Sequence, residues 1–335
     1  MRLPRVAISF GDPAGIGPEI ALKAAADLRV RATAVPILFG DRIALEAHAR
    51  ACGLKPRLVE IGRADEIAGA PPDDAIQFFD TQSLGDMPLC IGEVKPQHGQ
   101  AAVDAAKAAI GAALAGNVDA VVACPQTELA IKQAGIEFDG YPSFVARTTG
   151  TPADDAFLMM CFDDKRIVHT TLHVSLRRAL ALITPERVAR VIDATQLTLN
   201  RVGIKEPRIA MSGLNPHAGE DGLFGDDEIR IISPAIKAAA ARGLKIEGPF
   251  GADTMFLKPG YDAFIVMLHD QGHIAAKLLA TNRTAGLTIG TPILFSSVAH
   301  GSALDIAGKN KASAEAVVEA VQRLTHAAHQ ARHAA

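Results

Sequence analysis

Short β-branched or apolar runs alternate with longer alanine-rich stretches of helical period along nearly the whole chain, and this alternation restricts the fold more than any single motif. Arg5 to Phe10, Val35 to Phe39, Ala120 to Cys124, Lys165 to His169, Arg208 to Met211, Ala263 to Met267 and Leu287 to Gly290 read as strands. Pro18 to Asp27, Asp41 to Cys52, Ala101 to Ala115, Pro185 to Val202, Asp227 to Arg242 and Ser313 to Ala334 read as helices. Strands separated by helix-length connections pair in parallel, so the pattern predicts an α/β fold of βα units around a largely parallel sheet. A chain of 335 residues with 49% hydrophobic composition can pack two such lobes. Turn-rich FDGYPS, Phe138 to Ser143, and the glycine-flanked segment near His300 are the candidate crossings. They predict a first lobe of residues 1–137 and 300–335, with the two ends of the chain together, and a second of residues 138–299.

Several classes of function are disfavoured. A formal charge of −3 gives no basic stripe for nucleic acid, and aromatic residues for base stacking are only 4%, without Trp. Cys52, Cys90, Cys124 and Cys161 lack C-x-x-C spacing, which argues against a zinc ribbon or a disulfide framework. Eighteen uncharged apolar residues never run together, and the first apolar run is too short for a signal peptide. The expectation is a cytoplasmic protein that binds neither membrane nor nucleic acid. His326, His329 and His333 fall at helical spacing and read as a solvated face.

After the first strand comes GDPAGIGPEI, Gly11 to Ile20. Glycines between a strand and a helix let backbone N–H groups approach a phosphate. Here the spacing is G-x-x-x-G-x-G, not the dinucleotide G-x-G-x-x-G, and Pro18-Glu19 replaces the lysine and hydroxyl of a P-loop. Taken alone, it reads as a tight turn with Pro18 at the start of a helix.

Three histidines follow apolar runs in polar or glycine-containing sequence: His173 in TTLHVS, His217 in GLNPHAGE and His269 in VMLHDQG. Open α/β sheets gather ligands at the carboxyl ends of their strands, so these imidazoles could meet at one divalent metal. His169 with His173, and His269 with His273, also stand at i, i+4, but neither pair has the Glu of H-E-x-x-H. If RIVHTTLH is extended, His169 and His173 lie about 13 Å apart and cannot share an ion. One histidine of each pair is therefore retained. Asp253 and Asp270 can supply carboxylates, and Lys277 lies eight residues past His269, within reach if the segment turns into a helix. An ammonium beside a cation is disfavoured, which tunes such a lysine toward proton transfer. HGSALDIAG, His300 to Gly308, reads as a glycine turn and short helix capped at Ser302, or as a backbone-rich turn able to hold an adenosine.

GDPAGIGPEI, the three histidine loops and HGSALDIAG, in that order, resemble the 4-hydroxythreonine-4-phosphate dehydrogenase (PdxA-like) family over nearly the whole chain. HGSALDIAG and G-I-G-P-E also look like the related isocitrate and isopropylmalate dehydrogenases. The resemblance implies two α/β/α lobes with a central cleft, a homodimer whose subunits share active sites, and NAD or NADP as cofactor. It matches His173, His217 and His269 to the divalent-metal ligands and Lys277 to a substrate-contacting lysine. Zinc suits three imidazoles best, with manganese, cobalt and magnesium as alternatives. His300, Gly301, Ser302, Ala303 and Asp305 match the segment that holds the adenine end of the cofactor, while Asp12 and Gly15 would lie near its reacting end. The implied chemistry is oxidation of a secondary alcohol beta to a carboxylate, followed by loss of carbon dioxide. Lys277 is the candidate for proton transfer, and Asp253 and Asp270 are orienting or alternative groups.

The substrate positions depart from the phosphate-binding members. Tyr141-Pro142, Glu128, Gly286 and Phe295 stand where those have a His-Thr pair, a lysine, an Asn and an Arg. A phosphate dianion wants cationic forks, so this exchange argues for a non-phosphorylated substrate. Tyr141, Pro142, Asn215, Lys277, Gly286 and Phe295 are its expected contacts. The same places are similar to the terephthalate cis-dihydrodiol dehydrogenase branch, including AGI-F-GYPS, RIVH-TLH and MLHDQGHI-KLLA. A cyclic cis-dihydrodiol carboxylate is thus the expected substrate. The alternatives are the phosphorylated hydroxythreonine and, from other classes, a nucleotide-free metallohydrolase or aldolase or a non-enzymatic binding protein.

Overall fold

The structure is a computed structural model describing residues 2–67, 69, 71, 74–280 and 284–333, with side chains followed to residue 325; the rings of His326, His329 and His333 lie outside it. The chain forms two compact units, one of Met1–Phe144 and Pro292–His329, the other built on Val145–Thr291. It therefore crosses between them at Phe144/Val145 and Thr291/Pro292.

The first unit contains β1 (Arg5–Ser9), β2 (Val35–Gly40), β3 (Leu58–Ile61), β4 (Ile76–Asp80), β5 (Ala120–Ala123) and β12 (Phe295–Val298), in the order β3-β4-β2-β1-β5-β12. Every pairing in it is parallel. Ile8 sits between Leu38 and Val122, and all three are fully buried, as expected for a sheet covered on both faces. From β1 the chain steps to β2 on one side, while β5 and β12 lie on the other. The order thus reverses between β1 and β5, where α/β sheets bind ligands.

The second unit contains β6 (Phe157–Phe162), β7 (Lys165–His169), β8 (Arg208–Ser212), β9 (Lys245–Phe250), β10 (Ala263–Val266) and β11 (Ala285–Ile289), in the order β11-β6-β7-β10-β8-β9. β6 runs antiparallel to both β7 and β11, which departs from the expected parallel pattern. The remaining four, β7, β10, β8 and β9, are parallel and present their carboxyl ends in one row. β3, β4, β6, β9 and β12 were not singled out in the sequence; β3 and β9 are half-exposed edge strands bearing charge, and β9 contains a Gly-Pro step.

Three local expectations need correction. Tyr141, placed in a turn by FDGYPS, opens the helix Tyr141–Thr149. HDQGHIAAKLL is the helix His269–Leu279 and not a loop, because Gln271 secures its first turn. After His300 there is no short helix: Leu304 to Asn310 are successive turns, and Ala303 and Asn310 have positive φ.

Candidate active site

The parallel row in the second unit delivers most of the predicted residues. His173 follows β7, His269 follows β10, Asn215 and His217 follow β8, and Asp253 follows β9. Hydrogen bonds tie these strand ends together. Thr171 Oγ1 donates to the Met267 carbonyl at 2.7 Å, and the Gln271 side-chain oxygen accepts from the Met267 and Leu268 N–H groups at 3.0 and 2.9 Å. The Gln271 amide nitrogen donates to the Gly213 carbonyl at 3.2 Å, and the Gly213 N–H donates to the Phe250 carbonyl at 2.7 Å. Gln271 thus joins the ends of β10 and β8.

Four imidazoles gather here, not two. The chain bends immediately after His169, so the extended geometry that separated His169 from His173 does not apply. The His269 ring lies 5.5 Å from His173, 6.3 Å from His169 and 3.8 Å from His273, against which it stacks at an interplanar angle of 11°. His273 Nδ1 is 3.0 Å from His169 Nε2, and His169 Nδ1 is 3.4 Å from the Leu158 carbonyl. Burial, reinforced by His273, lowers the His169 pKa to about 3. Burial followed by the neighbouring His269 lowers that of His273 to about 4, with Lys277 adding to the effect. Both rings are neutral at pH 7. His269, His273 and Lys277 form an i, i+4, i+8 stripe on one helix.

His269 Nδ1 lies 2.7 Å from Asp270 Oδ1. A carboxylate accepts only, so Nδ1 carries the proton and Nε2 offers a lone pair, the usual arrangement of a metal-binding imidazole. The donors therefore suit a divalent cation chemically. Among the described residues, however, no three His, Cys, Asp or Glu side chains already stand together as a ligand group. His217 sits apart from the stacked rings, in a loop where residues 217 to 221 all have positive φ and its ring contacts Phe224. Buried Glu228 holds this loop. Its Oε1 accepts the Leu214 and Asn215 N–H groups at 2.7 and 2.8 Å, and its Oε2 accepts from Asn215 Nδ2 at 3.0 Å. Burial alone would raise the Glu228 pKa, but the Asn215 and backbone donors more than offset this and hold it below the usual range. Asp253 and Lys277 are exposed, and a Cβ at Gly251 would lie 2.8 Å from Asp253 Oδ1.

In the first unit the GDPAGIG turn is fixed at the point where the strand order reverses. Asp12 N–H donates to the Pro125 carbonyl at 2.9 Å, and Ile16 N–H donates to the Ser302 carbonyl at 2.9 Å. Gly11 has φ +69, and a methyl group there would press on the backbone of Cys124 and Pro125; at Gly15 it would lie 2.7 Å from Ser302 Cβ. These glycines therefore serve close packing of three loops. Asp12 is 1% exposed; its Oδ1 accepts the Ala14 N–H at 2.8 Å, whereas Oδ2, like Gln126 Oε1 after β5, is buried without a partner. Such orphaned acceptors at a strand-order reversal suit a polar ligand. Thr127 donates to Ser302 Oγ at 2.9 Å, while His300, Gly301 and Asp305 are exposed and Ala303 half-buried.

Of the expected substrate contacts, Tyr141 donates its hydroxyl to the Cys124 carbonyl at 3.0 Å and packs its ring 5.1 Å from Phe295 and 5.5 Å from Phe138. Burial raises the Tyr141 pKa well above the ordinary tyrosine value. Pro142 is half-buried beside it. Phe295, 1% exposed, is a core residue of β12, and Gly286 is buried in β11 opposite Met160. Gln271, Glu228 and Gln126 were not singled out by their sequence setting. His169 and His273 were noted as i, i+4 partners and set aside, although that pairing was the signal for them.

Residues 32–324 match the family model described as pyridoxal phosphate biosynthetic protein PdxA. A 1,2-dihydroxy-3,5-cyclohexadiene-1,4-dicarboxylate dehydrogenase of a Comamonas species is 42% identical over 320 residues, 96% of either chain. The crystal structure of a 4-hydroxythreonine-4-phosphate dehydrogenase from Burkholderia phymatum superposes with a TM-score of 0.86 at 33% identity, over 98% of this chain and 99% of that one. A β-decarboxylating dehydrogenase from Thermococcus kodakarensis shares the fold alone, with a TM-score of 0.50 at 16% identity over 98% of this chain and 84% of that one.

Proposed function

We propose, starting from the fact that this chain belongs to the PdxA family, that it is a metal-dependent, NAD(P)-linked dehydrogenase acting on a non-phosphorylated cyclic cis-dihydrodiol carboxylate, which it oxidises and decarboxylates. Membership carries the coarser statement that the chain is an oxidoreductase of dehydrogenase type. The observation that carries the finer reading is the aromatic packing of Tyr141 with Phe295, Phe138 and Phe144, at ring separations of 5.1 to 6.4 Å, where a phosphate grip would need cations. The Comamonas relative, whose name specifies a cyclic diol dicarboxylate, supports the same choice.

When bound, a divalent cation supplies polarisation of the substrate hydroxyl and a nicotinamide accepts the hydride. His173, His217 and His269 would hold the cation, His269 through Nε2 because its Nδ1–H is committed to Asp270. Asp12 and Gln126, with their orphaned oxygens, would meet polar groups of the cofactor alongside Gly15 and the His300 to Asp305 segment. Lys277 moves the proton at Nζ, and Asn215, anchored by Glu228, orients the substrate. We take the partner to be a second copy of this chain: Leu176, Leu180, Ile274 and Leu278 are among the exposed apolar side chains that such a contact would cover. No helix among the described residues is long and apolar enough to cross a membrane, and cytoplasmic residence is part of the same proposal.

The deciding experiment follows nucleotide reduction with a cis-dihydrodiol carboxylate, 4-phosphohydroxythreonine and a simple β-hydroxy acid, with Zn²⁺, Mn²⁺, Co²⁺ or Mg²⁺ present. Turnover of the cyclic diol is expected, and activity on the phosphorylated compound alone refutes the substrate assignment. His217→Ala should abolish turnover. Absence of thermal protection by both NAD⁺ and NADP⁺ would count against a nucleotide-dependent reaction.

A further inference from the structure

Two imidazoles of the cluster have no place in the proposed ligand set, and their hydrogen bonds specify where their protons are. The Leu158 carbonyl can only accept, so His169 Nδ1 carries hydrogen and its Nε2 a lone pair. That lone pair accepts from His273 Nδ1, 3.0 Å away, which leaves His273 Nε2 bare. Both rings are neutral in this chain of bonds. His169 is 0% exposed at the end of β7, so the first ring of the series is fixed by the core.

His273 then lies flat against His269 at 3.8 Å and 11°. The lone pairs of two imidazoles lie in their ring planes. In parallel planes this far apart they cannot converge on one ion about 2.0–2.1 Å from each nitrogen. The i, i+4 spacing of His269 and His273 is therefore not a bidentate metal motif. Gly272 makes the arrangement possible: a methyl group there would overlap His169 Nε2 and lie 2.8 Å from Ile167 Cγ2, so only glycine lets the helix come this close to β7.

We propose that His169 and His273 are positioning residues: the His169–His273 hydrogen bond fixes the plane of His273, whose face in turn holds the His269 ring, while Asp270 sets its tautomer. His269 is thereby restrained in rotation as well as in tautomer before any cation arrives. The inference rests on the reading that His269 is a metal ligand.

Two measurements on the full chain test it. Long-range ¹H–¹⁵N correlation of ¹⁵N-histidine-labelled protein at pH 7, assigned with single-histidine variants, should show His273 as the neutral Nδ1–H tautomer; an Nε2–H or protonated His273 overturns the proposal. In Co²⁺ titrations followed by visible absorption, His273→Ala should weaken binding about 10- to 100-fold, the range typical of groups that orient a ligand. His273→Phe, which keeps a flat face but no lone pair, should recover affinity to within a few-fold of wild type. If Phe binds as weakly as Ala, His273 is itself a ligand, and if both bind like wild type, it positions nothing; either result overturns the proposal. Wild-type protein with the expected tautomer that binds no Co²⁺ removes the metal reading and reduces the pair to a packing role, which also overturns it.

Discussion

Replacing Glu228 with alanine is expected to disable the site before it unfolds the protein. The carboxylate is 3% exposed and accepts three hydrogen bonds, from the Leu214 N–H, the Asn215 N–H and Asn215 Nδ2. Bonds to a charged acceptor contribute roughly 1.5–3 kcal/mol each. At the lower bound the three together come to roughly 4.5 kcal/mol, and rehydration of the half-buried Leu214 and Asn215 should leave a net loss of about 3 kcal/mol. Urea unfolding reads this directly as a lower midpoint at unchanged slope. Glu228→Gln keeps an oxygen for the two backbone donors but turns an amide NH₂ toward that of Asn215, so it should lose about 1–2 kcal/mol. Because the same bonds hold Asn215 and the loop that continues to His217, kcat/KM should fall in both variants under conditions where each is fully folded. An alanine variant within about 1 kcal/mol of wild type, with unchanged kcat/KM, refutes the reasoning.

Other consequences can be measured separately. His169 has a folded pKa near 3 against an ordinary 6.5, so between these values the unfolded chain binds the extra proton. Its stabilising contribution is complete above pH 6.5 and is lost as pH falls toward 3, at about 1.4 kcal/mol per pH unit. With chelator present, His169→Phe should therefore show a shallower decline of unfolding free energy between pH 6 and 5 by about that amount, and parallel wild-type and variant curves would contradict it. Gly272→Ala, forced against His169 and Ile167, should lose about 1–3 kcal/mol, visible as a drop of several degrees in Tm. An unchanged Tm would show that the helix can move away from β7. Tyr141→Phe removes the hydroxyl bonded to the Cys124 carbonyl but keeps the ring against Phe295; it should cost about 1 kcal/mol of stability, and a larger loss would mean the hydroxyl does more than anchor the ring.

β7 was placed to the residue and β1, β2 and β5 to within one; for β1, β2 and β5 this is because strands covered on both faces are continuous apolar runs with clear ends. Burial alone was not enough: β4, β6 and β12 are largely buried and were not singled out. The helix at His269 was obscured by polar HDQGH, whose glycine and histidines answer to β7 rather than to helix propensity. Selecting His173 and His269 for their loop settings put two residues into one cluster. Treating the segment after His169 as extended hid the other two, since the bend depends on Thr170 and Thr171 bonding to the end of β10, a contact across 96 residues. Glu228 was beyond reach for the same reason: a carboxylate thirteen residues downstream in a helix gives no sign that it caps a loop.

The left-handed run at His217 has a thermodynamic consequence of its own. Four of its five residues, His217, Ala218, Glu220 and Asp221, carry a Cβ, and the left-handed conformation costs each roughly 1–2 kcal/mol. A segment under that load opens more readily than the sheet beneath it, so its amides should exchange with solvent well before those of β8 or β10. The scaffold can therefore be fully native while its third histidine samples open states. Bound ligand would then act as the latch, slowing exchange from residues 214 to 222 while leaving the strands unchanged.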